Sequence, residues 1–129
     1  MTCWIAVIGA EKWGTFREKQ MLAFAERHRD TVSKTEIGDT VFFLDEDPER
    51  SLLGAAEVAS DPYMNRIPLF ENENEVYPLR IKIRPITAMD VRTPLPIEIR
   101  SRMPDSGVPI HAIIEDEIEQ IFLDRLGAP

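Results

Sequence analysis

Residues Glu36–Tyr63, EIGDTVFFLDEDPERSLLGAAEVASDPY, carry the reading of the fold. Gly38-Asp39 is a tight-turn dipeptide. Val41, Phe42, Phe43 and Leu44 follow as a short run of β-branched and aromatic residues, the composition of a strand. Asp45–Ser51, DEDPERS, reads as a solvated loop tip that does not pack. Leu52–Ala59 then returns as a second strand, almost bare of side chain at Gly54, Ala55 and Ala56. A strand so bare implies that another backbone, a large ring or a ligand comes close, and close packing in a small barrel is the plain reading.

Working outward, Thr2–Ile8 reads as a first strand containing Trp4. Ala10–Lys19 carries Trp13 and Phe16 three residues apart, so a helix there presents both rings on one face. Gln20–Ala25 suits either a short strand or an extension of that helix. Glu26–Lys34 is basic, and Asp30 can cap a short turn over Thr31–Ser33. Met64–Glu75 reads as a loop. Val76–Ile86, VYPLRIKIRPI, is the clearest strand: Leu79, Ile81 and Ile83 alternate with Arg80, Lys82 and Arg84, predicting one core face and one cationic, solvated face. Pro94–Met103 fits helix or strand, and Asp105-Ser106-Gly107 a turn. Ile113–Leu126 is an amphipathic helix with Ile114, Ile118, Ile121, Phe122 and Leu126 in one stripe. Several short strands, a few helices and no βαβ alternation predict one α+β domain over 1–129, built as a small mixed barrel.

Composition narrows the function. The single cysteine, Cys3, excludes an internal disulfide and sits in an apolar run as a small buried hydrophobe. There is no signal-peptide pattern and no apolar stretch near the eighteen or so residues that a membrane span needs, so a cytoplasmic protein without membrane contact is expected. The net charge of −8 opposes non-specific binding of phosphates. That charge is segmented: residues 12–34 carry six Lys/Arg against three acids, and residues 76–111 again six against three. One modestly basic face is therefore available. Phosphate loops, dinucleotide fingerprints and nucleophile elbows are all missing. His28, His111 and Cys3 are not at metal-ligand spacing, and Asp45, Glu46, Asp47 and Glu49 lack the pattern of a calcium loop. No catalytic residue, metal or cofactor is indicated. Trp4, Trp13, Phe16 and Tyr63, near Arg27, His28, Arg29 and Ser60, suit instead the stacking and edge-reading of a planar base.

The pieces TCWIAV, ERHRDTVSKTEIGDTVFFL, LLGAAEVASDPY and VYPLRIKIRPI, in that order over residues 2–86, resemble the EVE domain. This is a PUA-like family related to the YTH domain. The resemblance implies a twisted, partly closed β-barrel with flanking helices, and binding of a modified nucleobase in RNA or DNA. Carried over by position, it implies Trp4, Trp13, Leu22, Ser60, Pro62 and Tyr63 as the base site. Phosphate contacts are expected from Arg27, His28, Arg29, Arg80 and Lys82. Leu22 stands where the family carries the tryptophan of a V-W-G-V motif, which leaves one aromatic wall missing. Two readings compete with this one. The first is a hydrolase resembling the related ASCH domains, using Lys12 or Lys82 near Glu57; the second is a protein-interaction domain that no longer binds a base.

Overall fold

The computed structural model describes residues 2–46, 50–67, 77–93, 95, 99, 102–103, 110–112 and 116–125. Its centre is a parallel pair, β1 (Cys3–Val7) and β3 (Thr40–Leu44), with Trp4 opposite Val41 and Ala6 opposite Phe43. Both strands are apolar without alternation, as strands buried on two faces must be. Their side chains divide between two cores. Trp4, Ala6, Val41 and Phe43 enter one together with Trp13 and Phe16 of α1 (Ala10–Lys19). Ile5, Val7, Phe42 and Leu44 enter the other, with Leu95, Ile99 and Met103. Ile118 and Phe122 complete that second core from α3 (Asp116–Arg125), and the Phe122 ring lies 5.1 Å from Phe42.

The bare strand is explained by what faces it. β4 (Leu52–Val58) runs antiparallel to β3 with Val41 opposite Ala56, Phe42 opposite Ala55 and Phe43 opposite Gly54. Directly paired residues have Cβ atoms about 5 Å apart on the same face of the sheet, so each bulky residue of β3 meets a minimal one on β4. The volume left beside Phe43 is used by Trp13, whose ring stacks on it at 4.3 Å and 19°. Among the alternatives open from sequence, the large ring is the one found.

The remaining strands curl the sheet into a half-barrel. β6 (Leu79–Thr93) is long enough to serve two partners. Leu79–Lys82 pairs with β2 (Met21–Phe24), and Leu79 and Arg80 also pair with the two-residue β5 (Tyr63–Met64). From Ile83 onward β6 pairs with β4, and the register slips between Ala55 and Ala56, where Pro85 lies opposite Ala56 and cannot donate to the ladder. With β7 (His111–Ala112) beyond β1, the order is β2-β6-β4-β3-β1-β7, and among the described residues β1–β3 is the parallel pair. The class is α+β, as expected.

One choice left open is resolved and three local expectations are corrected. Gln20–Ala25 contains strand β2, because Gln20 adopts the left-handed conformation at φ 53° and ends α1. Asp30 is no cap: it lies inside α2 (Arg29–Val32), which follows a 3₁₀ turn at Glu26–His28 and has no side-chain cap. Asp45 and Ser51, at the two ends of the acidic loop, are buried rather than solvated, and the Asp45 amide donates to the Ser51 carbonyl. Met64, expected to open a loop, forms strand β5 with Tyr63 because the two pair with β6. The turn at 105–107 and the strand-or-helix choice at Pro94 lie outside the described residues.

Asp39 ties the start of the chain to this frame. It is 1% exposed, and its carboxylate accepts from the Trp4 indole N–H at 2.9 Å, the Glu36 amide at 2.9 Å and the Thr2 amide at 3.0 Å. Burial pushes its pKa up, but these three donors outweigh burial and hold the carboxyl below its ordinary value of 3.8. A depressed native pKa stabilises the fold above the unfolded-state value and is lost as pH falls through the native one. Asp39→Asn turns one acceptor into a donor facing N–H groups. We expect it to cost about 1.5–3 kcal/mol near neutrality, with the gap to wild type narrowing below pH 3.8. Urea unfolding followed against pH measures both. Leu22 is 0% exposed opposite Ile81, so Leu22→Trp should overpack this core and lower stability by about 1–3 kcal/mol in the same assay.

Candidate functional site

The chain leaves β2 through the basic 3₁₀ turn and α2, and this short segment packs beside β5. β5 is placed by its pairing with Leu79 and Arg80, and Asp61-Pro62 precedes it. Between them lies a cleft of about 330 Å³. Val32 and Leu79, both buried, supply its apolar base, while Pro62, Tyr63 and Met64 form one side. Arg29, Asp30 and Ser33 form the other. Arg29 Nη2 donates to Glu26 Oε1 at 2.8 Å and lies 3.6 Å from Met64 Sδ, joining the two sides at the rim. Both side chains of the Arg29–Glu26 pair are 52% exposed, so the pair contributes little to stability and Arg29 can exchange partners.

The expected site residues do not all meet here. Arg29, Pro62 and Tyr63 line the cleft, and Arg27 and His28 lie in the 3₁₀ turn just before it. Trp4 and Trp13, each 4% exposed, and Leu22 at 0% belong to the inner core, where Trp4 is bonded to Asp39 and Trp13 is stacked on Phe43. A base could reach these three only by displacing core packing. Ser60 Oγ donates to the Asp61 carbonyl at 3.0 Å and accepts from the Lys82 amide at 2.9 Å, fastening the end of β4 to β6.

Arg80 is a correction. It was expected on the solvated face with Lys82 and Arg84, yet it is 2% exposed. Its Nε donates to the Tyr77 carbonyl at 2.7 Å and its Nη2 to the Ile67 carbonyl, while Nη1 sits 3.4 Å from Met21 Sδ. Burial lowers its pKa, partly offset by Tyr63. A guanidinium committed to backbone carbonyls is not placed to meet a phosphate; Arg80 instead joins Ile67 to Tyr77 beneath β5. Lys82 and Arg84 do face water, in a separate groove of about 460 Å³ with Lys19, Gln20 and Met21.

Glu57 is bonded to Arg84 at 2.7 Å, and Lys12 Nζ lies 5.0 Å above the Tyr77 ring. The Cys3 thiol donates to Glu119 Oε1 at 3.1 Å; burial, then that carboxylate, push its pKa up to about 11, which disfavours the thiolate. Among the described residues no group of three or more His, Cys, Asp or Glu could hold a metal, and no helix is long and apolar enough to cross a membrane. The sequence reading missed Asp30, Val32, Ser33, Met64 and Leu79 as cleft residues. Asp30 and Ser33 stand three apart, the spacing that puts two side chains on one helical face, and that was the available signal.

No family model matches the chain. It does resemble solved YTH domains across nearly its whole length. The YTH domain of Mmi1 superposes with a TM-score of 0.68 at 15% identity, covering 99% of this chain and 97% of that one. The same domain solved as an RNA complex gives 0.65 at 15% identity, covering 98% and 86%. A protein from Agrobacterium tumefaciens gives 0.63 at 17% identity, covering 100% and 97%. The half-barrel is thus a YTH-like, PUA-like fold. In sequence, a UPF0310 protein of Pyrococcus abyssi is 29% identical over 101 residues, covering 71% of each chain. A second, from Pyrococcus horikoshii, is 31% identical over 97 residues, covering 67% of each. With that identity sustained over two thirds of both chains, the protein belongs to the UPF0310 family.

Proposed function

We propose that this protein is a non-catalytic nucleic-acid-binding module of the EVE type, which takes an unpaired base of RNA or DNA, modified bases included, into the cleft between α2 and β5. The observation that carries the reading is the composition of that cleft. A half-buried tyrosine and a proline face a short basic helix across an apolar base of Val32 and Leu79. Its volume of about 330 Å³ lies at the small end of the range for small-molecule sites. A planar ring is held there by stacking on Tyr63 and by burial of its faces, both of which tolerate any base. Arg27, His28 and Arg29 lie on the approach, where a strand's phosphates pass once one base has entered. The YTH-like fold, found with RNA in one neighbour, supports the same reading.

The base site therefore shifts from the one implied by family resemblance. Trp4, Trp13 and Leu22 serve the core, and the ligand is met at the sheet's edge by Pro62 and Tyr63. The net charge of −8 keeps the electrostatic share of binding small. We expect weak binding of single-stranded RNA or DNA, with log affinity falling against log salt at a slope of about two to four. Tyr63→Ala should lose about 1–3 kcal/mol of stacking, and Arg29→Glu should weaken binding and flatten the salt slope. Fluorescence anisotropy with labelled oligonucleotides reads both effects. Wild-type affinity in Tyr63→Ala would rule this cleft out as the base site.

A further inference from the structure

The α2 side of the cleft has a definite hydrogen-bonding order. Arg29 has only donors to offer, and both of its recorded contacts use Nη2, leaving Nε and Nη1 for a ligand. Asp30 presents a carboxylate, which accepts; among the described residues that carboxylate has no hydrogen-bond or ion-pair partner. Ser33 could donate or accept, but its hydroxyl proton is spent on the Asp30 carbonyl at 3.0 Å, so its lone pairs are what remain for the cleft. Along α2 and the residue that ends it, the side chains thus read donor, acceptor, acceptor in chain order.

A flat ligand complementary to that order must present an acceptor followed by two donors along one edge. Among the nucleobases, guanine does so, with O6 followed by N1–H and the N2 amino group. Adenine and cytosine each carry one donor group on that edge, and uracil carries one donor between two acceptors. We propose that Arg29, Asp30 and Ser33 make this cleft selective for guanine. The inference rests on the binding-module reading and names its ligand. Asp30 takes N1–H and the amino group as a paired contact, Arg29 donates to O6, and Ser33 Oγ accepts the amino group's second proton. Tyr63 and the Val32–Leu79 base hold the ring whatever its identity. Selectivity follows from what a wrong base leaves undone: the Asp30 carboxylate faces an acceptor instead of a donor. Sites built to hydrogen-bond a ligand reject analogues lacking the matching group far more strongly than apolar pockets reject small changes of shape.

The test uses the full chain, oligouridylate RNAs carrying a single guanine or inosine, and the corresponding nucleoside monophosphates with N1-methylguanosine monophosphate added. Inosine lacks only the amino group, and N1-methylation removes the other donor. Calorimetry should show guanine bound more tightly than either by roughly five- to a hundredfold. Asp30 is exposed, so Asp30→Asn should keep the wild-type melting temperature while losing most of the preference for guanine over inosine. Equal wild-type affinity for guanine and inosine, or an intact preference in Asp30→Asn, would overturn the guanine assignment and leave the binding module standing. Absence of binding to every RNA and nucleotide would overturn the module reading and the assignment with it.

Discussion

The pairing of an aromatic strand with a nearly bare one is the constraint on which the rest of this structure depends. β3 is buried on both sides, so Phe42 and Phe43 each need room in a different core. Gly54 and Ala55 opposite them make that room, and they make it only in this register. A slip of one residue would exchange the two faces of β3 and offer each ring to the wrong core. Trp13 on Phe43 and Phe122 against Phe42 then fix α1 and α3 on opposite faces of the sheet. The two helices furthest apart in sequence are positioned by adjacent residues of one strand.

Filling the inner core so completely has a consequence for function. Trp4, Trp13, Leu22 and Ile81 are all spent on packing, and the Trp4 indole is further held by the Asp39 carboxylate. Open clefts lie instead at the sheet's margins, beside β2 and β6. One is the cleft at β5 and α2, and another is the groove at Lys19, Lys82 and Arg84. They lie at opposite ends of the four-residue β2–β6 ladder, Phe24–Leu79 at one end and Met21–Lys82 at the other. At about 3.3 Å per residue this is a separation on the order of 10 Å.

Buried charge does structural service here in two different ways. Asp39 collects three donors and is stabilised as an anion, so its contribution depends on pH. Arg80 faces backbone carbonyls, with burial working against its charge. A buried guanidinium that loses its acceptors is costly, so Arg80 holds Ile67 and Tyr77 in place beneath β5. Tyr63 can present its ring to the cleft because the chain under it is fastened in this way.

Much of this was legible from sequence. The α+β class, α1 with Trp13 and Phe16 on one face, the central strand pair and the Leu79–Ile81–Ile83 alternation all follow from local composition and period. Steric and hydrophobic patterning along the chain determines them, and tertiary context did not need to intervene. The partner of a charged or amphipathic side chain has no such local signature. Arg80, Lys82 and Arg84 share one parity and one chemistry, yet Arg80 alone is buried, because the segment 63–67 covers its end of β6. Asp39 read as a turn residue until the start of the chain was brought over it. Asp30 and Ser33 read as a turn until Tyr63 arrived opposite them, carried there by pairing with β6. Local periodicity determined which residues would be strand, helix and core. Only tertiary structure decided which polar groups would line the cleft, because that depends on segments distant in sequence meeting at the sheet's edge.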